Sequence, residues 1–365
     1  MTPEIPGDAV ARLRLIRSDQ IGPVTYRQLV QRFGSAQAAL DALPDLARRG
    51  GGKALRIAGL DEAERELAAV AGFGAHLIFL GTADYPNLLA RTESAPPAIA
   101  VRGDTALLDR PAVGIVGARN ASAAGTRFAR GLASDLADAG LVVVSGLARG
   151  IDAAAHEGAL GGGTVAVIAG GIDVAYPPET ADLQRRIGEQ GLVVAEMPFG
   201  TQPQARHFPR RNRIIAGLCA GTVVVEGALR SGSLITARLA AEAGREVMAV
   251  PGSPLDPRAQ GCNILIREGA TLVQSAADIV EAVSAFSGSG ELRSLALGYE
   301  TAPVALETGD AEVAAIDALL SPTPVPIDEL IRLSGLPSAV VAAVLLDLEL
   351  GGRLVRHAGG RVALS

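Results

Sequence analysis

The sequence predicts an α/β protein with a doubly wound, mostly parallel central sheet, a helical module before it and a small domain after it. Between about residues 75 and 285, short β-branched runs alternate with glycine-rich turns and Ala/Leu-rich helical stretches, the pattern of parallel βαβ units. The runs are apolar throughout, as expected for strands covered by helices on both faces. The 365 residues exceed what one ordinary core fills, so we expect several domains.

Seven segments fit this description of a buried strand. They are AVGIVG (112–117), LVVVSG (141–146), TVAVIAG (164–170), LVVAEM (192–197), TVVVEG (222–227), EVMAVPG (246–252) and a short one at ATLVQS (270–275). Ligands of such sheets bind at the carboxyl ends of the strands, where turns meet helix N-termini. The turns after these strands are therefore the first place to look for function.

Three of the turns combine glycine, a serine or threonine and an arginine. They are GARNASAAG (117–125) with Arg119, SGLARGIDAAAH (145–156) with Arg149, and EGALRSGSLITA (226–237) with Arg230. None matches GxGxxG or the P-loop, so a nucleotide cofactor is not favoured. A single turn of this kind is explained by tight βα geometry, but the three together predict an anion site.

The densest positive charge lies in HFPRRNRIIAGLCAG (207–221), where three arginines surround Asn212. Pro209 fits the first position of a helix, which would place Arg210, Arg211 and Arg213 in or near its first turn. Cations there oppose the helix macrodipole, so an anion is the expected partner. The alternative is that these arginines pair with acidic side chains from elsewhere in the fold.

Composition limits the kind of partner. The net charge is −6, aromatic residues are 3% of the chain, and Lys53 is the only lysine. A polyanion would therefore be bound by a local arginine patch, through phosphates and with sparse base stacking by Phe208 and Tyr176. Such binding would be largely independent of sequence.

Other classes of site and location are disfavoured. Cys219 and Cys262 have neither CxxC spacing nor clustered histidines, so no disulfide and no metal site are expected. No apolar run reaches the length of a membrane span, and the first residues lack the apolar region of a signal peptide. We expect a cytoplasmic protein without a membrane partner.

Five segments carry a family resemblance. FPRRNRIIAGL, EGALRSGSLITARLAAEAGREVMAVPG and GCNILIREGA, with GARNASAAG and SGLARGIDAAAHEGAL upstream, resemble the DNA-processing protein A family, DprA or Smf, in the same order over about 215 residues. The resemblance implies an extended Rossmann-like domain that dimerises, binds and protects single-stranded DNA, and helps load the RecA recombinase in natural transformation. It implies no cofactor and no small-molecule substrate.

The resemblance and the turn pattern together define the expected DNA-binding residues: Gly117, Arg119, Ser122, Gly146, Arg149, Phe208, Arg210, Arg211, Asn212, Arg213, Ser231, Gly232 and Ser233. We expect Arg119, Arg210 and Arg213 on phosphates, the serines assisting, and Asn212 either on DNA or fixing its loop. The sequence departs from the family at two positions: Ala118 stands where serine is usual, and Ala124 where an aromatic residue is common.

The flanking segments are predicted from their helical patterns. Residues 1–70 contain VARLRLIRS, TYRQLVQRFGSAQAAL and DEAERELAAVAG, with a turn at IGPV (21–24) that resembles a SAM or helix-hairpin-helix module. It either touches DNA through Arg27 and Arg32 or is a small bundle for assembly. We place the central domain at 71–285 and a linker at 286–309.

The last segment, 310–365, has three helical stretches followed by a hairpin turning at Gly359–Gly360. That order resembles a winged helix. Its recognition helix, 338–350, carries Asp347 and Glu349 but no basic residue, so an assembly role is favoured over major-groove binding. The wing arginines at 353, 356 and 361, with His357, leave weak DNA contact open.

Two alternatives from other classes remain. A nucleotide-processing enzyme, resembling phosphoribohydrolases, would use Asp152 and His156, four residues apart on one helical face, for acid–base chemistry. The PGGxGT loop of that family is missing, since Pro251–Gly252 continues as Ser-Pro-Leu, and no GxSxG elbow occurs. A structural scaffold without a polyanion partner would need its arginines buried in an interface.

Overall fold

The structure is a computed structural model that describes residues 7–49, 51, 55–288, 309–357 and 359–365. The described residues form two compact units, one within 66–297 and the other from 1–65 together with 298–365. Most of the predicted linker, residues 289–308, lies outside the described residues. Residues 286–288 end a helix, and Gly309 directly precedes another.

The α-helices, in chain order, are α1 (Gly7–Arg17), α2 (Pro23–Phe33), α3 (Ala36–Arg49), α4 (Leu60–Gly72), α5 (Asn87–Ala90), α6 (Ala123–Asp138), α7 (Ile151–Ala159), α8 (Ala181–Gln190), α9 (His207–Leu218), α10 (Gly232–Glu242), α11 (Gln260–Arg267), α12 (Ala276–Gly288), α13 (Asp310–Asp317), α14 (Ile327–Ser334) and α15 (Ser338–Leu350). The strands are β1 (His76–Phe79), β2 (Ala98–Gly103), β3 (Ala112–Gly117), β4 (Val142–Ser145), β5 (Thr164–Ile168), β6 (Leu192–Ala195), β7 (Gly221–Val225), β8 (Glu246–Ala249), β9 (Thr271–Leu272), β10 (Val325–Pro326), β11 (Leu354–His357) and β12 (Arg361–Leu364).

Residues 66–297 are built on a nine-stranded sheet with the order β1-β2-β6-β5-β4-β3-β7-β8-β9. All seven predicted strands are present and pair in parallel. Two strands that the sequence did not reveal, β1 and β2, add an antiparallel edge. The prediction of a doubly wound, mostly parallel sheet is confirmed.

Helices cover both faces of this sheet. One face packs against α6, α7, α8 and α12, and the other against α5, α9, α10 and α11. The chain runs outward from β3 through β4 and β5 in one direction and later from β7 through β8 in the other. The switch point therefore lies between β3 and β7, and the loops after these two strands meet there.

In the other unit, α1–α3 pack around Leu15, Leu29 and Leu43, all of them fully buried. We predicted one helix across TYRQLVQRFGSAQAAL, and this is wrong. The chain breaks at Gly34, whose φ of 79° ends α2 in the left-handed conformation, which glycine adopts without steric cost.

The predicted winged helix is present as α13–α15 with the small sheet β10-β12-β11. The recognition-helix position, α15, packs against α3, and its Leu346 and Leu350 share one apolar cluster with α1–α3. Arg32, proposed above as a DNA contact, instead faces the buried carboxylate of Asp347 at 3.6 Å. Residues from before and after the central domain therefore share one core.

Two wing arginines, Arg353 and Arg356, are also engaged within this unit. Arg353 pairs with Asp317 at 2.7 Å, and Arg356 pairs with Glu349 at 2.9 Å. These contacts favour the assembly role. Across the described ranges no single helix is both long and apolar enough to cross a membrane, although α14 and α15 have that length and composition as a pair bent by 118°.

Candidate nucleic-acid interface

Two adjoining pockets open at the carboxyl ends of the central strands. One of about 240 Å³ lies beyond β4 and β5, and the other, of about 390 Å³, lies between the loops after β3 and β7. Arg119, Ala148, Phe208 and Arg211 line both pockets. Three of these four residues, Arg119, Phe208 and Arg211, were predicted as site residues, and the four together come from three separate segments of the chain.

The aromatic ring of Phe208 is flanked by a cation and a second ring. The guanidinium carbon of Arg119 lies 5.1 Å from the centre of the Phe208 ring, within the range of a cation–π interaction. The ring of Tyr176 lies 5.9 Å away at a tilt of 52°. Tyr176 is 46% exposed and Arg119 is exposed, so this cluster offers solvent both a positive charge and aromatic surface.

Arg211 lies beneath the cluster instead of on the surface. It is 6% exposed, and its Nη1 donates to the carbonyl of Val167. Burial lowers the pKa of Arg211 to about 10, and Asp152 opposes that shift. Gly146 leaves the space that the guanidinium of Arg211 occupies, because a Cβ at this position would overlap it.

The segment that contains the three arginines begins its helix earlier than predicted. The helix α9 starts at His207, so Pro209 is its third residue and the arginines follow the first turn. Arg210 stays 52% exposed, 3.7 Å from Glu196. Arg213 is only 13% exposed, donates to the carbonyl of Ser94 and forms a close ion pair with Glu196.

The alternative of intramolecular pairing therefore holds for part of the cluster. Arg211 and Arg213 face acidic groups of the same domain, whereas Arg119 and Arg210 present accessible charge. Arg149 is also more than half exposed and lies 3.4 Å from the equally exposed Glu179. An ion pair between two solvated side chains contributes little to stability.

The loop after β3 is held by a carboxylate that sequence reasoning missed. The backbone N–H of Ser122 donates to Glu226 at 2.9 Å, and its hydroxyl donates to the same carboxylate at 2.5 Å. The hydroxyl of Ser122 also accepts from the N–H of Gly125, which caps α6. Gly117 is fixed by packing, since a Cβ there would overlap the carbonyl of Val225.

The loop after β7 contains the predicted serine-glycine-serine turn at the start of α10. The hydroxyls of Ser231 and Ser233 lie 2.7 Å apart. The side chain of Asn212 donates to the carbonyl of Gly232 at 3.3 Å. Asn212, which lies within α9, thus anchors the turn after β7.

Asp152 and His156 occupy one face of α7, but they are buried. His156 is 0% exposed, and its Nδ1 lies 2.7 Å from the hydroxyl of Thr164, which itself donates to the carbonyl of Val143. Nδ1–H is therefore the donor to Thr164. Burial, with Arg211 nearby, lowers the pKa of His156 from 6.5 to about 3, which is too low for acid–base work near neutral pH.

The environment of Asp152 is dominated by burial, which raises the pKa of its carboxyl while Arg211 opposes the rise. Asp152 lines the larger pocket, but His156 lines neither. These positions disfavour the acid–base alternative. Both cysteines are buried and unpaired, and among the described residues no group of three or more His, Cys, Asp or Glu could hold a metal ion.

A doubly wound sheet with cationic loops at its switch point defines the class of Rossmann-like proteins, and comparison with known proteins defines the family. The model for DNA recombination-mediator protein A matches residues 76–284. The models for the DprA-like N-terminal HHH domain and the DprA winged helix domain match residues 6–69 and 300–360. The chain therefore belongs to the DNA-processing protein A family, DprA or Smf.

Individual relatives agree with this assignment. Protein Smf of Escherichia coli is 38% identical over 301 residues, which cover 79% of this chain and 77% of Smf. The structure of DprA from Streptococcus pneumoniae matches with a TM-score of 0.64 and 36% identity, covering 76% of this chain and 98% of that one.

A structure of DNA processing protein A from Helicobacter pylori, described for its single-stranded DNA binding mode, matches with a TM-score of 0.52 and 27% identity. It covers 58% of this chain and 96% of that one. Membership of this family gives the chain a DNA-processing role.

Proposed function

We propose that the two pockets and their rim form a binding surface for single-stranded DNA. The observation that carries the proposal is the cluster of Arg119, Phe208 and Tyr176 at the rim of the pockets. Stacking of bases on aromatic rings, together with cationic contacts to phosphates, is how proteins bind single strands without sequence preference. The relative from Helicobacter pylori, described for that binding mode, supports the same partner here.

The accessible cations supply the phosphate contacts in this proposal. Arg119 and Arg210 are exposed beside the pockets, and Arg149 extends the positive surface beyond β4. Ser231 adds a hydroxyl where α10 begins, supported by the buried hydroxyl of Ser233 at 2.7 Å, and Gly232 adds a backbone amide. The surface contacts the phosphate backbone of the DNA, so it discriminates poorly between DNA sequences.

The buried members of the predicted set support this surface from below. Arg211 fills the space that Gly146 leaves open, Arg213 holds Glu196, and Asn212 anchors the turn at Gly232. Gly117 and Ser122 fix the loop that carries Arg119. No residue is assigned a catalytic role, and the domain serves binding.

The finer role is protection of incoming single strands and loading of RecA onto them in natural transformation, with a homodimer as the working form. It rests on family membership. Its test is RecA filament assembly on oligo(dT) coated with a single-strand binding protein, which this protein should accelerate. Equal assembly rates with and without it would contradict the loading role, and sedimentation would report the dimer.

Binding itself is tested by fluorescence anisotropy of a labelled oligo(dT), compared with a duplex of the same length, over a series of salt concentrations. We expect preference for the single strand and a salt dependence that reports several phosphates. Arg210→Ala should lower that salt slope by about one phosphate. Glu242→Ala, which changes an exposed residue at the far end of α10, is the matched control.

A protein that ignored both oligonucleotides at low salt would refute the proposal. If the salt slope and the affinity were unchanged in both Arg210→Ala and Arg119→Ala, DNA would bind at a surface other than the pockets.

A further inference from the structure

The N-terminus of α6 is the place where the sheet topology would receive the phosphate of a ligand, since it follows β3 at the switch point. In this protein the carboxylate of Glu226 lies there. Its two oxygens accept from the N–H and the hydroxyl of Ser122 at 2.9 and 2.5 Å. The first turn of α6 thus already has an anion from its own chain.

The surrounding backbone is shaped to hold that carboxylate. Glu226 has a φ of 55°, a left-handed conformation that residues with a Cβ rarely adopt. Gly125 leaves the necessary space, because a Cβ at that position would lie 2.6 Å from the carboxyl carbon of Glu226. Ser122 and Glu226 are 104 positions apart in the sequence, so this contact joins two distant loops.

Those two loops carry exposed arginines and half-buried serines of the candidate interface. The loop after β3 carries Arg119 three residues before Ser122, and the loop after β7 carries Arg230 and Ser231 shortly after Glu226. We propose that Glu226 is a positioning residue that locks both loops into one arrangement and, by filling the N-terminus of α6, closes this position to nucleotide phosphates. Its effect on DNA affinity rests on the function proposed above.

The direction in which DNA affinity changes when Glu226 is removed distinguishes a positioning role from simple electrostatic repulsion. A carboxylate near a polyanion repels it, so removal of a charge that only repels DNA would strengthen binding. Removal of a positioning carboxylate instead releases Arg119 from its place and weakens binding. The salt slope should fall at the same time, toward that of Arg119→Ala, because the displaced Arg119 no longer holds its phosphate contact.

The experiment compares the intact protein with Glu226→Ala, Glu226→Gln and Ser122→Ala, with Glu242→Ala as a charge control. Glu242 lies at the opposite end of α10 from the interface, about 15 Å along the helix. The first measurement, without DNA, is the rate of trypsin cleavage after Arg119 and Arg230, identified by mass spectrometry. The second is the affinity for labelled oligo(dT) over a salt series.

Glu226→Ala should accelerate both cleavages and weaken DNA binding at least about tenfold, the loss expected for a hydrogen bond to a charged group. Glu226→Gln, which keeps an acceptor for Ser122, should restore most of the affinity. Ser122→Ala should change binding in the same direction, and a double variant that combines Ser122→Ala with Glu226→Ala should lose less than the sum of the single losses. Glu242→Ala should behave as the intact protein does.

Two results would overturn the proposal: unchanged cleavage in Glu226→Ala, or DNA binding as tight as that of the intact protein or tighter. If Glu226→Ala fails to fold, Ser122→Ala carries the same test, with Glu226→Gln as the variant that keeps the acceptor. If the intact protein does not bind oligo(dT), the proposed function fails, while the cleavage rates still decide whether Glu226 positions the loops.

Discussion

Replacing His156 by glutamine should lower by one the number of protons that the protein takes up when it unfolds in acid. In the folded protein burial and Arg211 lower the pKa of His156 to about 3, whereas the ordinary value is 6.5. Below pH 6.5 the unfolded chain therefore binds a proton that the folded chain does not. The stabilisation from the neutral imidazole is complete above pH 6.5 and is lost as the pH falls toward 3, by about 1.4 kcal/mol per pH unit.

Glutamine can still donate to Thr164 but does not titrate. The measurement is the free energy of unfolding by urea at several pH values between 7.5 and 4.5, for the intact protein and His156→Gln. Above pH 7 the two should differ by a constant amount, and below pH 6 that difference should change by about 1.4 kcal/mol per unit. Equal slopes would refute the burial argument and would reopen acid–base chemistry by Asp152 and His156.

Three further predictions concern the interface and the core of the other unit. Phe208→Ala should weaken binding of oligo(dT) by about 1–3 kcal/mol, the value of one base–aromatic stack, whereas Phe208→Tyr should retain it; anisotropy would decide, and equal affinities would exclude stacking on this ring. Arg213→Ala should lower the free energy of unfolding by about 1.5–3 kcal/mol, because Glu196 loses its close ion pair and keeps the more distant Arg210 at 3.7 Å; the salt slope of binding should stay unchanged, and a slope that falls as in Arg210→Ala would show that Arg213 contacts phosphate. Leu346→Ala in α15 should cost about 2–5 kcal/mol and accelerate hydrogen exchange in α1–α3 as well as in α13–α15; acceleration in α13–α15 alone would contradict a shared core.

The strands were predictable where burial on both faces leaves a continuous apolar run, as in TVAVI at 164–168, all of whose residues are buried. The edge strand β1 has four residues, two of them not buried, so it lacks such a run. The break between α2 and α3 at Gly34 could be identified only from the backbone conformation, because the helical pattern of apolar residues continues on both sides of it.

Within the interface, the sequence identified the segments but not which arginines are accessible. Arg211 precedes Ile214, Ile215 and Leu218 at the spacing of one helical face, so its inward position was present in the pattern. The partners could not be found in this way. Glu196 contacts Arg213, 17 positions away in the sequence, and Glu226 contacts Ser122, 104 positions away. Only the completed sheet brings these residues together.

The core that α15 shares with α1–α3 has a consequence for synthesis. Residues 7–49 leave the ribosome about 300 residues before α15 is complete, which at 5–20 residues per second is a delay of roughly 15–60 s. During that time the face of α3 that later receives Leu346 and Leu350 is uncovered. The helices α1–α3 are thus made long before they can finish folding, and a chain that stops before residue 338 leaves an apolar surface open to chaperones and proteases.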